Sequence, residues 1–222
     1  MGDTEEVRFR IEGGEGDVRG ILHPPLGNPR AGIVVAHGRS NDLKNPLIRR
    51  ITEAASQAGL WALRFNFRYT DAKRQASRDL SAEEVDLRAA VAFVRQRALA
   101  ASLFALGKSM GARVCARASR DPDLAGIIAL GYPLHPMFRP QVRNPPEWPM
   151  IVKPALFVQG DQDPFCDLGR LREELPRLTR AHELVVIPNA GHSFESKGPK
   201  RDTFPEVRDA VFAWISRQVA ER

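Results

Sequence analysis

Short, apolar, β-rich runs alternate along this chain with segments of helical spacing, and that alternation leaves few folds open. Ala31–Ala36, Leu60–Phe67, Ser102–Leu106, Leu124–Leu130, Ala155–Gln159 and Leu184–Ile187 read as strands, and the first four are nearly continuous apolar runs. Runs of that kind belong to a mostly parallel sheet covered by helices on both faces. Val7–Ile11 and Val18–His23 read as two opening strands joined by a Glu12-Gly13-Gly14-Glu15-Gly16 turn. Asn45-Pro46 starts a helix by cap-then-proline logic, its apolar positions Leu47, Ile48, Ile51, Ala55 and Ala58 keep helical spacing, and Gly59 ends it. Ser81 and Glu84 predict a capping box before a helix with the stripe Leu87, Val91, Val94 and Ala98. Thr203 and Glu206 predict another before the last helix, which buries Val207, Val211, Trp214 and Ile215. Shorter helices are expected from Gly111 to about Ser119 and over Leu168–Leu175. About eight strands with helices between them fit one doubly wound α/β domain spanning 1–222. Pro133–Pro154 holds 7 of the 17 prolines and reads as a rigid loop with no room for a helical cap domain.

A chain of 222 residues can bury a substantial core, and none of its apolar runs approaches the ~20 residues of a membrane-spanning helix. Met1-Gly2-Asp3-Thr4-Glu5-Glu6 is polar and acidic, unlike a secretory signal, so a cytoplasmic protein without a membrane partner is expected. Cys115 and Cys166 form neither a CxxC nor a disulfide framework and read as reduced, buried thiols. Net charge is +6, with 27 Arg among the 33 basic residues, but the arginines are interleaved with 27 acids and match no nucleic-acid module. A solvated Arg-rich surface and no nucleic-acid partner are expected.

Gly107-Lys108-Ser109-Met110-Gly111 matches G-x-S-x-G between an apolar strand and a small-residue helix. There the serine sits on a sharp strand-to-helix turn that lifts its Oγ above the sheet edge, while the glycines leave room where a Cβ would collide. The competing pattern is the end of a phosphate-binding P-loop. It requires glycine at Ser102 and a flexible loop where Leu103-Phe104-Ala105-Leu106 reads as buried strand.

A serine hydroxyl needs a base and an orienting acid to attack at neutral pH. Among five histidines, His192 follows the last core strand at its C-terminal end, where ligands gather in open α/β sheets. His135, in the proline loop, is the rival base; His182 should lie at the opposite edge, and His23 belongs to the opening strands. In Gly160-Asp161-Gln162-Asp163-Pro164 the acid is expected at Asp163, with Asp161 the alternative and a candidate turn-stabilising residue. Chain order Ser109, Asp163, His192 is that of α/β-hydrolase triads. His37-Gly38-Arg39 follows strand Ile33–Ala36, so the backbone N–H groups of Arg39 and Met110 are the expected oxyanion hole, with His37 structural.

With these residues the chain resembles the α/β-hydrolase superfamily from about Val18 onward. Gly107–Gly111, Phe157-Val158-Gln159-Gly160…Asp163-Pro164-Phe165 and Gly191-His192-Ser193-Phe194 look like the capless dienelactone-hydrolase-like group. They are most similar to its branch containing the NSL-complex subunit 3 and testis-expressed-protein hydrolase-like domains. The chain departs from dienelactone hydrolases proper in carrying Ser109 rather than cysteine at the elbow, and from many relatives in Arg39 and Ser40 after the His-Gly. The resemblance implies an α/β-hydrolase fold without a cap. The residues predict a serine hydrolase of small carboxylic esters or thioesters, acting through an acyl-enzyme on Ser109 and needing no metal or organic cofactor. The alternative is a non-catalytic interaction module, since some members of the branch look like subunits of larger assemblies. A small-molecule substrate and a monomer or homodimer are expected. Arg39, Arg68, Arg113 and His135 are candidate substrate contacts.

Overall fold

The structure, a computed structural model, describes residues 4–11, 16–27, 29–98, 102–142 and 144–221. The turn expected at Glu12–Gly16 lies mostly outside them, as does the start of the polar N-terminus, Met1–Asp3. Eight strands form one sheet: β1 (Glu5–Arg10), β2 (Asp17–His23), β3 (Ala31–Ala36), β4 (Trp61–Phe65), β5 (Ser102–Lys108), β6 (Leu124–Leu130), β7 (Ala155–Gly160) and β8 (His182–Ile187). Their spatial order is β1-β2-β4-β3-β5-β6-β7-β8. β1 and β2 are antiparallel to each other and β2 to β4; every other pairing is parallel. The mostly parallel, doubly wound sheet expected from the alternating runs is thus present, in the capless form that the resemblance implied. The chain steps from β3 outward to β4 and then back past β3 to β5, which places the topological switch between β3 and β5, where α/β sheets open a crevice at their carboxyl ends.

Helices cover both faces because their apolar stripes demand it. On one face α1 (Pro46–Gln57) and α6 (Phe204–Ala220) bury Ile48, Ile51, Ala55, Val207, Val211 and Trp214 against Ile33, Phe104, Leu106 and Ile128. On the other, α3 (Ser81–Arg97), α4 (Met110–Ala118) and α5 (Leu168–Glu174) bury Leu87, Val91, Val94, Ala112, Val114 and Leu171. Alternation along each strand assigns its side chains to the two cores in turn.

Asn45 caps α1 as its position predicts, Oδ1 accepting from the N–H groups of Leu47 (3.1 Å) and Ile48 (3.4 Å), and Gly59 closes the helix at φ +79°. The two expected capping boxes do not form. At α3, Asp79 Oδ1 accepts from the Ser81 N–H and hydroxyl, and Glu84 pairs instead with Arg88 and Arg117, charged donors that outcompete a backbone N–H. At α6, the Thr203 hydroxyl donates to the Phe194 carbonyl at 2.5 Å and Glu206 pairs with Arg201. Thr203 therefore ties the β8–α6 loop to the helix rather than capping it. Three short elements were not foreseen, the single turn α2 (Arg68–Asp71) and the 3₁₀ turns at Trp148–Met150 and Leu175–Arg177, all too short to show a period. Pro133–Pro154 carries only a 3₁₀ turn at Trp148–Met150, with no inserted cap. Among the described residues no helix is long and apolar enough to cross a membrane.

One buried polar cluster in this frame predicts an acid-labile fold. Arg64 Nη1 donates to His23 Nε2 (2.9 Å) and to Thr52 Oγ1 (3.1 Å). Burial, aided by the adjacent guanidinium, lowers the His23 pKa from 6.5 to about 4. The unfolded chain therefore binds this proton at a pH where the folded one does not. Stability from this site is intact above about 6.5 and falls as pH drops toward 4, by on the order of 2–3 kcal/mol. Urea titrations across this range should show the midpoint falling in the wild type and a shallower fall in His23→Gln; equal slopes would refute the assignment.

Candidate active site

β5 ends in a sharp strand-to-helix turn. Ser109 adopts φ 54° and ψ −117°, a strained conformation for a residue with a side chain, between the last strand residue, Lys108, and the first helical one, Met110. The flanking glycines are required by contact. A Cβ on Gly107 would stand 2.2 Å from the Gly111 backbone, and one on Gly111 would stand 2.4 Å from the Ala36 carbonyl oxygen. The turn thus packs helix α4 directly onto the ends of β3 and β5 and leaves Oγ at the sheet edge.

His192 and Asp163 meet that hydroxyl. His192 Nε2 lies 2.9 Å from Ser109 Oγ, and Nδ1 lies 2.7 Å from Asp163 Oδ2. Since Nδ1–H donates to the carboxylate, Nε2 holds the lone pair that accepts from the serine. Asp163 is buried and oriented on both oxygens: Oδ2 also accepts from Gln159 Nε2 (2.5 Å), and Oδ1 accepts from the Phe165 N–H (2.9 Å). Asp161, the alternative acid, instead accepts from the Ala190 N–H at 3.2 Å and braces the loop that carries His192. That loop is tight. The Gly191 N–H donates to the Glu195 carbonyl, Glu195 Oε2 accepts from the Ser193 N–H, and Asn189 and Phe194 take positive φ at its two ends. The Phe165 ring lies 4.5 Å from the imidazole, centroid to centroid.

The other histidines are accounted for. His135 has both ring nitrogens engaged by backbone, Nδ1–H on the Pro136 carbonyl and Nε2 accepting from the Asp167 N–H, both at 2.8 Å. It lines the cleft but does not serve the serine, so the rival base is set aside. His37 is buried with Nδ1 on the Gly38 carbonyl and Nε2 accepting from the Phe67 N–H, and burial lowers its pKa despite the carbonyl's opposing effect. It fixes the β3–α1 loop as expected. His182, opposite Ala155 at the start of β8, lies at the far edge.

The cleft over Ser109 has a volume of about 800 Å³ and opens between the β3–α1 loop and the proline loop. Gly38 brings the first of these against Ser109, since a Cβ on it would stand 3.5 Å from Ser109 Cβ. Among the described residues nothing accepts a hydrogen bond from the N–H of Met110 or of Arg39. Pro133, Pro136, Pro145 and Val142 give the opposite wall an apolar surface.

Two of the candidate arginines need correction. Arg68 does not line the cleft: its N–H and Nε bind the buried Asp86 at 2.9 and 2.6 Å, an ion pair that sequence separation hid. Arg113 lines it, but its guanidinium is held by Glu147 through contacts of 2.9 to 3.1 Å. Two positions unassigned from the sequence also surround the acid. Gln159, fully buried in β7, positions Asp163, and Lys108 carries a buried ammonium into the cleft floor. Burial lowers the Lys108 pKa to about 8 against the opposing charges of Asp163 and Glu195. A polar side chain inside an otherwise apolar strand was the available signal for both.

The fold, and the meeting of Ser109, His192 and Asp163 at the turn after β5, point to a class of protein that the comparisons also give. The sequence profile of the alpha/beta hydrolase domain family matches residues 29–220, so the chain belongs to that family. Among solved structures it is similar to a dienelactone hydrolase from Anabaena variabilis, with 22% identity, 96% of this chain and 98% of that one covered, and a TM-score of 0.73. It is also similar to a lidless serine hydrolase from Xanthomonas campestris, with 21% identity, 97% and 94% coverage and a TM-score of 0.72. A Pyrococcus furiosus esterase aligns at 17% identity over 97% and 91% of the two chains, with a TM-score of 0.75.

Proposed function

We propose that the protein is a serine hydrolase cleaving small carboxylic esters or thioesters through an acyl-enzyme on Ser109. The observation that carries this reading is the unbroken hydrogen-bonded series Asp163–His192–Ser109, with each donor and acceptor in the sense that general-base catalysis needs. His192 Nε2 takes the Ser109 proton as Oγ attacks the carbonyl carbon. The N–H groups of Met110, at the α4 N-terminus, and of Arg39 receive the oxyanion. The imidazolium, stabilised by Asp163, then protonates the departing alcohol or thiol. In the second half His192 deprotonates a water that attacks the acyl carbon, and the acid leaves with Ser109 restored. The cleft is open above the serine and walled by prolines, which favours short soluble acyl groups over long chains. The names of the three structural neighbours, dienelactone hydrolase, serine hydrolase and esterase, fit this chemistry. Within the family we place the chain in the branch of the NSL-complex subunit 3 and testis-expressed-protein hydrolase-like domains, on the motifs quoted above.

A fluorophosphonate probe tests the reading. The wild type should be labelled on a single peptide containing Ser109, by mass spectrometry, and should release p-nitrophenol from p-nitrophenyl acetate. Folded protein that neither labels nor turns over would replace this reading with the non-catalytic interaction module.

A further inference from the structure

Lys108 occupies the second position of the elbow, yet its side chain does nothing that the turn itself requires. It leaves β5 on the α1/α6 side of the sheet with Leu106 and Phe104, and it is only 5% exposed. Among the described residues no carboxylate, carbonyl or hydroxyl accepts a hydrogen bond from its Nζ, and it forms no ion pair within 4 Å. Its Nζ faces the cleft rather than a protein acceptor, and a largely desolvated cation on the wall of such a site is a candidate for function. The position of that charge is defined by Gly131. A Cβ placed on Gly131 would stand 3.2 Å from Lys108 Nζ, 3.6 Å from Asp163 Oδ2 and 2.9 Å from the His192 carbonyl oxygen. The ammonium therefore lies beyond the reach of an ion pair but within about 7 Å of the carboxylate that orients His192, close enough to feel its charge and too far to take its hydrogen bond.

The groups around it are few. Asp163 approaches from the β7–α5 loop, and His192 and Glu195 approach from the β8–α6 loop. Glu195 is itself paired with Lys197 at 2.8 Å. Gly131, after β6, offers only backbone. Of the other cations lining the cleft, Arg113 is neutralised by Glu147.

Resting on the triad reading above, we infer that Lys108 is a positioning residue of the relay: its ammonium, held beside Asp163 but not bonded to it, offsets part of the carboxylate's charge on the His192 imidazole. By Coulomb's law in a partly desolvated site, this offset weakens the carboxylate's hold on the imidazolium formed during the reaction, which then passes its proton to the leaving group more readily; removing the ammonium restores the full hold. The lowered affinity of Lys108 for its own proton agrees with this placement, because loss of that proton on the alkaline side removes the offset and makes the relay pH-responsive from both ends.

The test reads the imidazole directly and does not need turnover. In the Ser109→Ala background, NMR titration of the His192 ring protons should show the midpoint moving upward by about one pH unit in Lys108→Met and in the more isosteric Lys108→Gln, while Lys108→Arg stays with the parent. The acid limb of the kcat/KM profile of the corresponding active proteins should move in the same direction. If the neutral variants fail to fold, the Lys108-containing parent still decides: its His192 signals should shift a second time as the Lys108 Nζ titrates. Unmoved midpoints in the folded neutral variants, or a Lys108 titration to which His192 is blind, would overturn the inference. Absent esterase activity with the midpoint shift present would instead overturn only the proposed reaction.

Discussion

Ser109→Ala and His192→Ala should each lower kcat/KM for p-nitrophenyl acetate by about 10⁶-fold, and the double variant should be no slower than either alone. The expectation comes from the geometry. Among the described residues His192 Nε2, 2.9 Å from Ser109 Oγ, is the base placed to take that proton in the proposed mechanism, so removing either end removes the same step. Asp163→Asn should be milder, at about 10⁴-fold. An asparagine amide facing Nδ1 reverses the donor and acceptor, moves the imidazole proton to Nε2 and leaves no lone pair for the serine. The Phe165 N–H, which donates to Asp163 Oδ1, holds the asparagine's carbonyl on that side and turns its amide nitrogen toward Nδ1, where Gln159 can present its otherwise unpartnered Oε1. Steady-state rates on purified folded variants check this. Additive losses in the double variant would mean that serine and histidine act independently, and the relay mechanism would fail.

The residues of the relay were legible in the sequence because each is announced by a local constraint. Gly107 and Gly111 admit no side chain, Pro164 rigidifies the turn after Asp163, and Gly160 packs that turn on the His192 loop where a Cβ would strike the Ala190 carbonyl oxygen at 2.3 Å. The alternating pattern likewise gave the sheet, since buried parallel strands must be apolar on both faces. What the sequence hid depends on approach between distant segments. Arg68 was expected in the cleft and is instead bound to Asp86, on a different helix. Thr203 has the right neighbours for a capping box, but its own backbone is already helical (φ −86°, ψ −8°) and its hydroxyl donates to the Phe194 carbonyl. Lys108 was visible only as part of a motif. Its environment is assembled by Gly131, Asp163 and the His192 loop, none of which is adjacent in the chain.

Arg113→Met should be the most destabilising single change at the cleft, by about 3–5 kcal/mol at neutral pH. Its partner Glu147 is 0% exposed, so removing the guanidinium leaves a carboxylate that water cannot reach. The pair joins the second turn of α4, the helix launched by Ser109, to the proline loop that walls the cleft. The Ser119 hydroxyl makes a second tie between the same two segments, donating to the Met150 carbonyl at 2.6 Å and accepting from the Val152 N–H at 3.0 Å. The next residue, Trp148, anchors the loop against Tyr132 and Phe157. Glu147→Gln should cost less, about 2–3 kcal/mol, because Arg113 is a quarter exposed and can turn its charge toward cleft water. The pH dependence separates the two variants. In Arg113→Met the stranded carboxyl is easier to protonate in the folded protein than in the unfolded one, so the folded state binds the extra proton and stability recovers as pH falls. Glu147→Gln has no such group and shows no recovery from this site. Glu147→Leu combined with Arg113→Met should be far less destabilised than the two singles summed, since both desolvated charges are gone together. Urea midpoints at constant m-value measure all four proteins. An Arg113→Met variant within about 0.5 kcal/mol of wild type, the range of ordinary surface changes, would show that the proline loop is held by its aromatic anchor and the Ser119 tie rather than by the buried ion pair.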